Sequence, residues 1–442
     1  MIPQTCSVAL PIPSPNPYTY AVPATLADRV VPGARVVVPV RSRELVGIVL
    51  DVGGDTPEGS LKSILLVPDP FPLVTSPLLE LAQWMERYYA APPGIALKAM
   101  LPAALWGASR LVATIRDASA APGGTSKQVL EVLERSGGSA SASQLSRKFK
   151  RPVWDTLQRL SAAGAVALET EAPDLGPAAR VERTLVLSKV LPTLLERQEA
   201  FGRAARQREA YEAVDGLGGE MPVRHLTTQL GFSPSVVRGL VERGLARIEE
   251  REHLRDPFRD VPGTAPAVPT QSQWDAIEAA RERAAGEAIT LFGVTGSGKT
   301  LVYLEAARED VARGRGVIVL VPEIALTPQT VARVRGVFGD TVAVLHSGLS
   351  DGERADAWRA LAAGAKRVAV GARSAVFAPV PDLAAIFVDE EHDTSYKQSE
   401  LPRYHARDVA LKRARIESAR VVLGSATPAL ETWYAQDRIP VV

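Results

Sequence analysis

Apolar and polar positions fall into three successive rhythms along the chain. In the first 105 residues, short β-branched runs dominate. VVVPV at 36–40 and VGIVL at 46–50 flank the charged turn RSRE at 41–44 and read as strands. Pro11, Pro13, Pro15 and Pro17 hold the entry segment extended and irregular. An apolar stripe of Leu79, Trp84 and Tyr88 predicts a helix over 76–89. From 120 to 260 the period becomes helical, in two similar stretches. One runs from a helix opening at 126–131 through Gln144 and Leu145 to a helix at 153–163 and the tail AVAL at 165–168. The other runs from 206–209 through His225 and Leu226 to 234–242 and the tail LARI at 245–248. Three short helices and a β tail suggest winged-helix modules, although three-helix stretches also occur in domains that bind nothing.

VPGTAPAVPT at 261–270 is a proline-rich linker and the clearest boundary. Beyond it, strands are predicted at 289–292, 317–321, 342–345, 368–370, 385–388 and 421–423. Helices lie between them at 300–313, 327–338 and 350–363, the last opened by a Ser350/Glu353 capping box. Such alternation predicts a parallel α/β sheet covered on both faces. The expected architecture is thus a multidomain α/β chain: a small β-rich domain over 1–105, a helical winged-helix region over 120–260, and an α/β lobe over 270–442.

Composition narrows this only slightly. A chain of 442 residues is too long for one ordinary core. Its 46% apolar and 23% charged residues fit a folded, soluble protein. No apolar run approaches the roughly 18–20 residues of a membrane helix. The opening MIPQTCSVALPIP lacks the basic-then-apolar layout of a secretory signal, so no membrane role and a cytoplasmic setting are expected. Cys6 is the single cysteine, which leaves no internal disulfide and no cysteine-based zinc site; it reads as a small buried apolar residue. The net charge of +1 is silent about nucleic acid, so local patches must carry that argument.

The candidate chemistry lies in the last third. Gly293-Val294-Thr295-Gly296-Ser297-Gly298-Lys299-Thr300 fits G-x-x-x-x-G-K-[ST], after a strand and opening a helix. Glycines let backbone N–H groups fold around phosphate oxygens, and the helix N-terminus adds positive potential. Lys299 would reach the terminal phosphates of ATP, and Thr300 would hold Mg²⁺. Asp389-Glu390-Glu391-His392 follows the strand at 385–388, where a carboxylate can meet that ion. Asp389 is the expected Mg²⁺ partner and Glu390 the group that orients and deprotonates the attacking water. The two motifs together predict a nucleoside triphosphatase.

Asp-Glu-Glu-His is the DExH form of superfamily 2 helicases and translocases. Ser425-Ala426-Thr427 after the next strand looks like the segment that, with His392, couples nucleotide state to DNA in that group; alone it reads equally as a helix cap. Gln273 lies where the group places an adenine-reading glutamine, with an ordinary surface glutamine as the alternative. Longer runs are more specific: VPEIALTPQT at 321–330, LHSGL at 345–349, GARSAVF at 371–377, SYKQ at 395–398, RYHARD at 403–408 and GSATPALET at 424–432. Together with VALPIP at 8–13, YTY at 18–20 and Leu61-Lys62, they resemble the PriA family of replication-restart DNA helicases, and the match covers nearly all of 270–442 as well as the first 105 residues.

The resemblance implies a RecA-like motor lobe that uses ATP and Mg²⁺, preceded by a domain that captures the 3′ end of a DNA strand. It implies forked and single-stranded DNA as partners, with the other primosome proteins and single-strand-binding protein, and a nucleoid setting. Tyr18, Thr19 and Lys62 would contact the strand end; family members carry an aspartate between the two aromatics where this chain has Thr19. The loop after the acidic box resembles one that links single-stranded DNA contact to hydrolysis. There Tyr396 and Tyr404 would stack on bases, and Arg373, Lys397, Arg403 and Arg407 would meet phosphates. From Lys397 to Arg420 seven Lys/Arg stand against three Asp/Glu, a local basic patch, although a solvated loop has the same composition. The family's second lobe and zinc segment have no counterpart here, so slow hydrolysis and no unwinding are expected of this chain alone. The alternative is a fork-binding adaptor that does not unwind.

Overall fold

The computed structural model describes residues 5–41, 43–54, 60–107, 110–118, 125–151, 153–171, 180–253, 255–258 and 261–435. It divides into two compact units, Met1–Pro177 with Asp256–Val442, and Ala178–Arg255.

The larger unit opens with β1 (Thr5–Ala9), β2 (Tyr18–Ala21), β3 (Arg35–Val40) and β4 (Arg43–Val52), an antiparallel sheet ordered β2-β1-β4-β3. Its period-two alternation sends Cys6, Val8, Tyr20, Val36, Val38 and Val49 into one core. Arg35, almost wholly buried, is neutralised by Asp69 (Nη2 to Oδ1, 2.8 Å) and donates from Nη1 to the Leu105 carbonyl at 2.7 Å. Two helices follow, α1 (Ser76–Tyr88) and α2 (Pro93–Met100). The buried face of α1 is Leu78, Leu79, Leu81, Ala82 and Met85. The expected stripe is rotated from this: Trp84 is half-buried and Tyr88 is exposed, the two rings stacked on each other at 4.8 Å. Aromatic bulk marked the wrong face because the aliphatic ridge meets a deeper core.

Next comes β5 (Arg110–Ile115), α3 (Thr125–Arg135), β6 (Ser139–Ser141), α4 (Ala142–Phe149), α5 (Trp154–Ala162) and β7 (Val166–Glu171), with the strands ordered β6-β5-β7. The smaller unit repeats that plan: β8 (Arg180–Leu187), α6 (Leu194–Phe201), α7 (Ala205–Gly216), β9 (Glu220–Pro222), a π-helical turn at His225–Gln229, α8 (Pro234–Glu242) and β10 (Ala246–His253), ordered β10-β8-β9. Each module has its own core, around Leu133, Leu145 and Leu157 in one and Tyr211, Leu226 and Leu240 in the other.

The last part of the larger unit holds α9 (Gln271–Arg281), β11 (Ala288–Phe292), α10 (Lys299–Ala312), β12 (Gly316–Leu320), α11 (Pro328–Phe338), β13 (Val342–Leu345), α12 (Asp351–Ala362), β14 (Val368–Gly371), β15 (Leu383–Val388), α13 (Ala406–Glu417), β16 (Arg420–Ser425) and α14 (Leu430–Tyr434). The six strands form one parallel sheet ordered β11-β16-β15-β12-β14-β13. Val317, Val319, Phe387 and Val422 face a core shared with α9, α10 and α11. The intervening Ile318, Leu320, Ile386 and Leu423 face a second core with α12 and α13. The Ser350/Glu353 capping box at the head of α12 is formed on both sides.

That second core does not stop at the lobe. It runs on through Leu78, Leu81 and Met85 of α1 and Leu97 of α2. Trp358 Nε1 donates to the Leu73 carbonyl at 3.2 Å, and the His405 N–H donates to the Tyr89 hydroxyl at 3.3 Å. With each buried aliphatic side chain worth roughly 1.5–3 kcal/mol, the β-rich domain and the lobe are joined by packing as well as by chain.

The linker at 261–270 has neither helix nor strand. It is nevertheless laid along α11: the Thr264 N–H donates to the Ala332 carbonyl at 2.9 Å, and a Cβ at Gly336 would stand 1.8 Å from the Thr264 carbonyl oxygen. Only glycine at 336 admits that approach. Upstream, the Arg335 guanidinium pairs with Asp256 and donates to the Phe258 carbonyl.

Candidate nucleotide site and nucleic-acid surfaces

The phosphate-binding signature lies where β11 turns into α10. Gly296 and Gly298 adopt φ of +84° and +86°, which a side chain would strain, and Gly298 caps the helix. Lys299 is buried; its Nζ donates to the Gly293 carbonyl at 2.9 Å and lies 3.4 Å from Glu390 Oε1. Thr300 follows on the first turn of α10. Two strands over in the sheet, β15 delivers Asp389 and Glu390 to the same end. Burial raises the Asp389 carboxyl above its ordinary value, opposed by the Tyr303 hydrogen bond and partly reinforced by Glu390. Glu390 sits at φ +44°, a left-handed conformation costing a non-glycine residue roughly 1–3 kcal/mol. Such strain collects where a side chain must be aimed.

Strand β16 lies between the two and bonds to both. The Gly293 N–H donates to the Ser425 carbonyl at 3.1 Å, and the Glu391 N–H donates to the Gly424 carbonyl at 3.0 Å. His392 spans the remaining gap, its Nδ1 2.7 Å from Ser425 Oγ and its Nε2 3.3 Å from Thr427 Oγ1. The phosphate loop, the acidic box and the Ser425-Ala426-Thr427 turn are thus one hydrogen-bonded assembly.

A cavity of about 710 Å³ covers this assembly, lined by 264–268, Thr270, Gln273, 296–301, Leu304, Arg333, Asp389 and Glu390. Its size suits a nucleotide. The donor set, a hydroxyl and carboxylates, is the hard oxygen chemistry that Mg²⁺ prefers. Gln273, the expected base reader, lines the cavity and also braces its surroundings. Its Oε1 accepts the Thr270 N–H at 2.9 Å in a helix-capping box, and its Nε2 donates to the Ser297 carbonyl at 2.8 Å. The amide thus ties the start of α9 to the phosphate loop, and each end keeps a further hydrogen-bonding position. Arg333 and the linker were missed by sequence reading, because nothing local marks a helix surface or a proline-rich tether as part of a pocket wall.

The loop after the acidic box corrects three expectations. Tyr396 and Tyr404 are in the core; Tyr396 donates its hydroxyl to the Asp389 carbonyl at 2.7 Å, and Tyr404 packs edge-on to Phe377 at 5.1 Å. Burial pushes the Tyr404 hydroxyl up to about 12. Neither ring presents a face to a base. Arg407 is buried too, its Nη1 3.1 Å from Glu391 Oε2. This segment closes the lobe's second core, which draws both rings inward, while the buried Glu391 carboxylate draws in Arg407. Lys397 and Arg403 remain exposed. Arg373 lies beside them, its Nη1 donating to the carbonyls of Ser395 (3.1 Å) and Lys397 (2.8 Å).

In the N-terminal sheet Tyr18 is exposed and Thr19 half-buried on β2. The Lys62 backbone pairs with that strand, its carbonyl accepting the Ala21 N–H at 2.9 Å, while its Nζ donates to the Arg41 carbonyl at 3.3 Å. Lys62 is thus bonded to the far end of the strand whose start carries Tyr18 and Thr19.

Two family models match the chain. A 3′ DNA-binding domain matches residues 7–102, and a DEAD/DEAH box helicase domain matches 270–434. Replication restart protein PriA of Bacillus subtilis is 35% identical over 428 residues, 95% of this chain and 52% of that protein. The protein of the same name from Synechocystis is 43% identical over 249 residues, 56% of this chain and 30% of that protein. Among solved structures, the Hef helicase domain of Pyrococcus furiosus shares 22% identity, covers 36% of this chain and 33% of its own, and gives a TM-score of 0.29. The chain thus spans about half the length, or less, of the curated relatives it matches. With the strand-end domain and the helicase domain matched in series, the chain is similar to the PriA replication restart proteins over nearly its whole length.

Proposed function

We propose that this chain carries the DNA-end recognition and ATP-binding parts of a replication-restart helicase, acting at stalled or abandoned forks with 3′-to-5′ polarity. The observation that carries the reading is the hydrogen-bonded union of phosphate loop and acidic box through β16. Lys299 is the phosphate cation, Thr300 and Asp389 are the residues to hold Mg²⁺, and Glu390 is the base for the attacking water. Mg²⁺, when bound there, would supply positive charge to offset that of the phosphates. Gly293, Thr295, Gly296, Ser297 and Gly298 offer backbone donors, and Gln273 steadies the loop. His392, Ser425, Ala426 and Thr427 relay the state of the site to the DNA surface. On that surface Arg373, Lys397 and Arg403 meet the backbone, while Tyr18, Thr19 and Lys62 take the strand end. The two three-helix modules are read as winged helices that hold duplex arms. Primosome proteins and single-strand-binding protein are the proposed partners, and the nucleoid of the cytoplasm the setting.

A fork-binding adaptor is the weaker reading, because an adaptor has no use for Lys299, Asp389 and Glu390 gathered at one end of the sheet. The discriminating experiment is nucleotide binding and DNA-stimulated ATP hydrolysis on a forked substrate, with Lys299→Ala alongside. Removing a charge-assisted phosphate contact is expected to weaken nucleotide binding by about 10-fold or more, with fork binding unchanged. Equal nucleotide affinity in the variant would overturn the assignment.

A further inference from the structure

Tyr303 is fully buried one turn into α10, among aliphatic neighbours and with its ring 5.5 Å from that of Phe387. Phenylalanine would fill that space equally well, so the hydroxyl calls for its own explanation. A buried phenol needs a partner. The partner here is the carboxylate of Asp389, whose Oδ1 accepts the Tyr303 hydroxyl at 3.1 Å. The route to it is kept open by Gly424. A Cβ at that position would stand 1.4 Å from the Tyr303 hydroxyl oxygen. Gly424 has no positive φ that would demand glycine. It sits inside β16, where glycine costs roughly 0.5–1 kcal/mol relative to alanine. A strand residue has thus given up its side chain where the hydroxyl passes. A second hydroxyl, from Tyr396, holds the Asp389 carbonyl at 2.7 Å, so carboxylate and backbone are fixed independently.

We propose that Tyr303 is a positioning residue that sets the orientation of the Asp389 carboxylate for the Mg²⁺ of a bound nucleotide, through a gap that Gly424 leaves in the sheet. This rests on the nucleotide reading above. It predicts a specific defect for Tyr303→Phe, which loses one oxygen and keeps the ring. Nucleotide binding in EDTA stays at the wild-type level, because the phosphate loop is untouched. The Mg²⁺ concentration that half-saturates the enhancement of nucleotide binding rises by about 10-fold, the usual scale for losing a group that orients a metal ligand.

The test is equilibrium titration of a fluorescent ADP analogue with and without Mg²⁺, in wild type and Tyr303→Phe, with melting temperature measured in parallel. An unchanged Mg²⁺ half-saturation in the variant overturns the inference, as does an equal loss of binding in EDTA and in Mg²⁺. A wild-type chain that shows no Mg²⁺-enhanced binding overturns the nucleotide reading itself, so the two failures are distinguishable. Should the variant not fold, 3-fluorotyrosine placed at position 303 alone reads the same contact in the native arrangement. Its ¹⁹F signal is expected to move when Mg²⁺ is added to the nucleotide-bound chain and to stay still in Asp389→Asn. A signal indifferent to Mg²⁺ overturns the proposal.

Discussion

Glu391 has no exposed surface, and its carboxylate takes Arg407, the Thr432 hydroxyl and the Ala429 N–H. It therefore ties α13, α14 and the turn after β16 to the acidic box. Removing one member of a buried pair strands the other's charge. Glu391→Ala is expected to destabilise the lobe by about 3–5 kcal/mol, read as a lower urea midpoint, and Glu391→Gln by less because it keeps part of the hydrogen bonding. A change within experimental error in Glu391→Ala would mean Arg407 finds water instead. The neighbouring Asp389 and Glu390 were legible in the sequence because their placement follows from local geometry, a strand end beside a phosphate loop. Arg407, Tyr396 and Tyr404 were not. Their composition states what a loop can offer, while the direction they face is decided by a core assembled from residues hundreds of positions away.

Elements add constraints that single residues do not show. Helix α13 is capped by His405, whose Nδ1 accepts the Arg407 N–H at 3.3 Å and so must be unprotonated. Burial, with the Arg407 charge next, lowers the His405 value below the ordinary 6.5, and burial lowers His346 as well. For a histidine depressed on folding, the unfolded chain binds more protons. Stability is full above about 6.5 and falls as pH drops below it toward the folded value. Thermal melts between about pH 7.5 and 5.5 are expected to show that decline, blunted in His405→Asn, which can cap without titrating. A flat profile would refute it. The linker on α11 makes a second prediction. Gly336→Ala places a methyl against the Thr264 carbonyl and should lift residues 264–268 from the cavity they line. If the read-out of nucleotide affinity in that variant matches wild type, the linker is a bystander. The lobe's strands and the capping box of α12 could be read in advance because their patterns are local. Strands β5 and β8 escaped notice, since each pairs with residues far along the chain and carries no turn signal of its own.

At the scale of the whole molecule, the β-rich domain and the α/β lobe that the sequence suggests are not separate in packing. Leu78, Leu81 and Met85 lie in the same core as Trp358, Val409 and Ala410. Residues 270–442 expressed without the first 105 are expected to expose this face, bind a hydrophobic dye and aggregate, whereas residues 178–255 alone should melt cooperatively as a compact unit. A soluble, dye-free lobe would show that its packing closes without α1. The sequence could not reveal the shared core: an amphipathic helix announces that it has an apolar face, and only assembly decides what covers it.

That seam has a further consequence for how relatives diverge. Substitutions on α1 and on α13 are answerable to each other, so the two halves are expected to vary as a matched set. A chimera that joins the strand-end domain of one relative to the lobe of another would fail at Leu78, Met85 and Ala410 before either ligand site was reached, unless the seam were transplanted with it.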